Sequence, residues 1–139
     1  MNREEQYKRK LEYIADKILD LPENVEEDQF YVDALYYRLQ TSIDATMDVV
    51  AMLCKDLGFS VKDDYSNLDQ LSDSKVTDSN LVSTLRRLNG LRNILVHQYN
   101  KIELTIVLEE KKIVVETLQR FVILVEKVIN DLLDLNNED

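Results

Sequence analysis

The chemistry-bearing side chains of this sequence gather in one stretch, RNILVHQY at residues 92–99. The only histidine, His97, follows Arg92 by five residues and precedes Tyr99 by two, among the apolar Ile94, Leu95 and Val96. Imidazole exchanges protons near neutrality, with an unperturbed pKa of ~6.5, and so serves as acid or base. Guanidinium keeps its charge and braces a phosphate through two parallel hydrogen bonds. Together these groups suit metal-free cleavage of RNA by attack of its own 2′-hydroxyl. That reaction needs a base for the hydroxyl proton, an acid for the leaving oxygen and a cation for the charge on phosphorus. A chain with one histidine holds only half of that set, and a symmetric pair of chains would hold it all. The plainer readings are a capping or packing role for His97, a core ring with its hydroxyl at the rim for Tyr99, and half of an ion pair for Arg92.

The helix that must carry these residues runs from about Asp78 to about Tyr99. At about 100° per residue, Leu81, Leu85, Leu88, Leu95, Val96 and Tyr99 share one face, and Arg92 falls within it. A guanidinium there needs an acid or a groove open to water. Its neighbours along the helix offer no acid; Asp44 and Asp48 on the preceding long helix are the candidates. His97 lies about 140° around a straight helix from Arg92, whereas Asn93, one turn before His97, shares its side and can orient it or a ligand. Either the helix distorts near Tyr99–Asn100, or the working site takes Arg92 and His97 from two chains.

Four long helical segments follow from apolar spacing: about 3–20, 29–57, 78–99 and 105–135. Pro22 stops the first, and Gly58 stops the second after the stripe Leu35, Leu39, Ile43, Met47, Val50, Cys54 and Leu57. Residues 58–77, rich in Asp, Ser and Asn, read as a long loop in which Leu68 and Leu71 anchor a helical turn. The expected architecture is all-α: an antiparallel up-down four-helix bundle, one domain over residues 1–139, with a long acidic loop and a short extra helix between helices two and three. Val122, Leu124 and Ile129 widen the last helix's apolar surface, for burial either inside its own bundle or against a second copy.

Composition narrows the function. No apolar run reaches membrane-span length, and MNREEQYKRK is too charged for a signal peptide. One cysteine forms no internal disulfide, and a reducing, cytoplasmic setting is expected. There is no Gly-rich phosphate loop, no second histidine for zinc, no nucleophile-elbow serine and no carboxylate constellation, so neither metal nor cofactor is expected. The net charge of −10 opposes polyanion binding, yet residues 81–102 hold Arg86, Arg87, Arg92 and Lys101 with no acid. Residues 1–20 balance five acids with five bases.

The string Arg92-Asn93-x-Leu95-Val96-His97-x-Tyr99 on the third long helix resembles the HEPN superfamily, and most of all its HepT branch. A long second helix with an acid, here Asp48, and an acidic loop before the motif helix add to the likeness. The resemblance implies a metal-independent endoribonuclease toxin of a type VII-like toxin–antitoxin pair, working as a homodimer. His97 would be acid and base, Arg92 the phosphate stabiliser, Asn93 and Asp48 supporting residues. Tyr99 would be the residue silenced by AMP addition from a MntA-like nucleotidyltransferase antitoxin. The rival reading is a non-catalytic HEPN module that docks a nucleotidyltransferase and positions its substrate.

Overall fold

The computed structural model describes residues 1–23, 25 and 28–137. Among these residues are five α-helices: α1 (Arg3–Leu19), α2 (Gln29–Asp56), α3 (Asp64–Asp73), α4 (Ser79–His97) and α5 (Leu104–Asn137). Local sequence sets four of the starts. Asn2, Asp28, Asp63 and Asp78 each accept a hydrogen bond from a first-turn amide, at 2.7–2.9 Å, satisfying donors that the helix itself leaves open. Gly58 ends α2 with φ of +91°, and the Phe59 amide donates to the Cys54 carbonyl at 2.8 Å.

Helices α1, α2, α4 and α5 form an antiparallel up-down bundle, and α2 packs against all four of the others. Polar pairs between neighbours report the register. Arg3 meets Asp56 and Lys10 meets Asp48 across α1 and α2, both at 2.9 Å; Arg87 meets Glu110 across α4 and α5. Exposed pairs of this kind contribute about 0–1 kcal/mol each. The bundle is held instead by its interior, where Ile14, Leu39, Ile43, Leu85, Leu118 and Phe121 are fully buried, each worth about 1.5–3 kcal/mol.

The acidic connection is more ordered than a single turn, because α3 spans ten residues. Leu68 and Leu71 sink into the core, as their spacing suggested. Buried Asn67 fastens the incoming strand of chain: its amide nitrogen donates to the Lys62 carbonyl at 2.9 Å, and its oxygen accepts from the Lys62 amide at 2.7 Å. On α5, Ile129 is buried within its own bundle, Val122 and Leu124 are half-buried, and Ile123 is exposed.

Candidate functional site

Leu85, Leu88 and Leu95 are buried on α4 and turn the intervening Arg92 toward α2. There its Nε donates to the Asp44 carboxylate, and its Nη1 donates to the Asn93 side-chain oxygen at 3.0 Å. The Arg92 side chain stays 27% exposed and that of Asp44 38%. The arginine therefore uses both escapes from burial, an acid and an opening to water, and among the described residues its Nη2 has no protein partner. Asn93 in turn places its amide nitrogen 3.5 Å from the Tyr65 hydroxyl of α3. Asp48, one turn beyond Asp44, instead pairs with Lys10 of α1 at 2.9 Å.

α4 stops at His97, two residues short of the expected end, with Gln98 at φ −130° and ψ 33° as its cap. His97 is exposed and, among the described residues, its ring has no hydrogen-bond partner. Its place about 140° around the helix from Arg92 is thus kept. Val96 belongs to the exposed side rather than the core face, because it falls at the edge of that face, about 100° around the helix from buried Leu95.

Tyr99 lies in the turn after α4, where its hydroxyl donates to the Asp33 carboxylate of α2. Its ring meets Tyr36 edge-to-face, with centroids 5.2 Å apart and planes at 73°. Partial burial first, and then the hydrogen bond and charge of Asp33, push the phenol up to about 12. The same bond, with a second from Gln29, holds Asp33 below the usual carboxylate range. Tyr36, Tyr99, Asp28 and Gln29 border an open cleft of ≈ 450 Å³.

Asp33 and Asp44 are eleven residues apart, which is about three turns, so one face of α2 receives both Tyr99 and Arg92. Histidine is the motif member left outside this template. The acids that serve it were hidden among the many of α2, and only their common face marks them out.

The basic island of the sequence is largely neutralised in space. Arg86 pairs with Asp69 of α3 at 2.7 Å, Arg87 with Glu110 of α5, and Arg92 with Asp44. Arg86 also lies over the Tyr65 ring, 5.1 Å from its centroid. Among the described residues no three His, Cys, Asp or Glu side chains gather to hold a metal ion, and no helix is long and apolar enough to cross a membrane.

Known proteins share the sequence pattern and the fold of this chain. The family model described as Ribonuclease HepT-like matches residues 5–125. A protein of Archaeoglobus fulgidus, whose name marks it as a candidate RNase, is 42% identical over 127 residues, covering 91% of this chain and 96% of that one. A chain of a toxin–antitoxin crystal structure with AMP-PNP superposes with a TM-score of 0.78 at 21% identity, covering 90% of this chain and 99% of its own. A tri-AMPylated HEPN toxin of Shewanella oneidensis, in complex with MNT antitoxin, gives a TM-score of 0.69 at 22% identity, covering 91% of this chain and 99% of its own.

Proposed function

Since the chain belongs to the HepT-like ribonuclease family, we propose that it is a metal-independent endoribonuclease toxin whose active site is completed by a second copy of itself. The observation that carries this reading is the division of the motif: Arg92 is held half-buried against α2 while His97 stands exposed at the end of α4. Exposed Ile94 and Val96 flank His97 and give a second copy an apolar patch to cover. In the paired cleft one His97 takes the 2′-hydroxyl proton as that oxygen attacks phosphorus. The other His97 protonates the departing 5′-oxygen, leaving a 2′,3′-cyclic phosphate and a 5′-hydroxyl. Arg92 carries the charge that builds on the phosphoryl oxygens. Asn93 holds the guanidinium in place, and Asp48 supports the same region from one turn away.

Tyr99 is the control point. AMP added to its hydroxyl by a partner nucleotidyltransferase sets bulk and negative charge beside the cleft and repels an RNA phosphate. The AMPylated state of the Shewanella oneidensis toxin supports this reading, as does the exposure of the Tyr99 ring. The reaction belongs to the cytoplasm, where RNA and nucleotide donors are both present.

The test is RNA cleavage in EDTA by the purified protein beside His97→Ala, with product ends analysed and the intact mass checked first for AMP. Cleavage by the unsubstituted protein alone, ending in cyclic phosphate, is the expected result. A second reading, a non-catalytic HEPN module that docks a nucleotidyltransferase and positions its substrate, draws on the carboxylate already bound to Arg92. It predicts a tight complex with that enzyme and no cleavage by unmodified dimers.

A further inference from the structure

The cations of α4 are neutralised, but three of those along the seam between α1 and α2 are not. Among the described residues, Arg9, Lys17 and Arg38 meet no carboxylate; Arg38 donates only to the Asp16 and Lys17 carbonyls, at 3.3 and 3.5 Å. The seam opens into a groove of ≈ 560 Å³ lined by Arg9, Lys10 and Tyr13 of α1 and by Thr41, Asp44 and Asp48 of α2. Its two acids are already engaged, Asp48 by Lys10 and Asp44 by Arg92. Asp44 is thus shared: one side of it lines the groove and the other holds the motif arginine. Further along, the Lys17 ammonium sits 5.1 Å from the Tyr13 ring centroid and 5.9 Å from that of Tyr37. These two tyrosines are 40% and 59% exposed.

Cations without carboxylate partners, interleaved with exposed aromatic rings along a groove, are what a single-stranded nucleic acid needs: charge for the phosphates and π-faces for the bases. We infer that the α1–α2 groove is the track for the RNA strand flanking the scissile phosphate. Arg9 and Lys17 contact its backbone, and Tyr13 and Tyr37 stack its bases. From Tyr37 to Asp44 the track runs two helical turns, about 10 Å, and it delivers the strand to Arg92. The inference rests on the ribonuclease reading and adds where the substrate lies. It also bears on the −10 net charge: the strand is drawn to a groove whose acids are engaged and beside which three cations meet no carboxylate.

The experiment compares the protein with Arg9→Gln/Lys17→Gln, with Tyr37→Ser, and with Lys62→Gln/Lys127→Gln as a charge-matched control away from the groove. A short single-stranded RNA is the probe, read by cleavage kinetics over a salt series and by anisotropy in the His97→Ala background. All these side chains are at the surface, and circular dichroism checks the fold of each variant. The expected result is that the groove pair raises KM about tenfold with kcat little changed. The salt slope of binding should fall by about 1.4, at about 0.7 for each phosphate that is no longer neutralised. Tyr37→Ser should weaken binding about fivefold or more, without changing the slope, and the control should stay within about twofold of the parent. Cleavage by the parent with groove and control variants indistinguishable would overturn the track and leave the ribonuclease intact. A parent that neither binds nor cleaves RNA would remove both.

Discussion

The Tyr99 hydroxyl is held by the Asp33 carboxylate, so the residue just past the end of α4 is fixed to the N-terminal part of α2. Burial and the neighbouring acid favour the neutral phenol, while the hydrogen bond favours the ionised carboxylate. Both therefore contribute stability across the neutral range. The tyrosine contribution is complete below pH ~10, the ordinary phenol value, and is lost as the pH rises through about 12. The aspartate contribution is complete above pH ~4 and is lost as the pH falls through its lowered pKa.

Ultraviolet titration of tyrosinate should show a group near pH 12 that is missing from Tyr99→Phe. In Asp33→Asn that group should titrate earlier, without returning fully to the ordinary value, because burial is the larger cause. An unchanged titration in Asp33→Asn would mean that the carboxylate does not hold the phenol in solution. In the presence of a cognate nucleotidyltransferase and ATP, Asp33→Asn should also gain AMP on Tyr99 more slowly, followed by intact mass. The acid that accepts the phenol proton in the ground state can draw it away as the oxygen attacks.

Asp44 should matter more to activity than to stability. Its pair with Arg92 is open to solvent on both sides, so Asp44→Ala should cost about 1 kcal/mol in a urea melt. The freed guanidinium loses its orientation, and kcat should fall about 10- to 100-fold. Asp48→Ala tests the other acid, whose partner is Lys10; its effect on kcat should be the smaller of the two. The opposite order would reassign the support of Arg92.

These acids illustrate what could be read in advance. The long helices and their ends were legible because caps, stripes and stops are local: Asn2, Asp28 and Asp78 sit where the helices begin. The motif was legible as a string. Which acid of α2 meets Arg92 was not, because it depends on the register between two helices 48 residues apart in the chain. Charge misled for the same reason. The basic island of α4 meets acids from α2, α3 and α5, whereas the balanced first twenty residues sort by face. Glu4, Lys8 and Glu12 turn toward α5, and Arg9 and Lys10 toward α2.

Asn67 should prove a stability residue rather than a functional one. Its side chain is buried and satisfies both backbone groups of Lys62. Asn67→Ala strands those groups and should cost about 2 kcal/mol, measured by urea denaturation. It should leave KM and kcat unchanged at temperatures where the variant stays folded. A drop in kcat at full folding would instead tie α3 to catalysis, through Tyr65 and its contact with Asn93.

The separation of Arg92 from His97 makes complementation the sharpest prediction. His97 is exposed and without hydrogen bonds to other described residues, so His97→Ala should shift stability by no more than about 0.5 kcal/mol while abolishing cleavage. Arg92→Ala should likewise be inactive. In a dimer mixed from the two variants, one chain keeps its histidine and the other its arginine. If each chain built its own site, no member of that mixture would hold a complete pair, and the activity would stay at zero. If the cleft is shared, the mixed dimer places one Arg92 and one His97 together; with either the acid or the base still missing, cleavage should return only weakly, about 10²- to 10⁴-fold below the parent rate. Co-expression with two different affinity tags isolates the mixed dimer, and the same RNA assay reads it. Recovery there, with none in either parent variant, assigns the two residues to one cleft built by two chains.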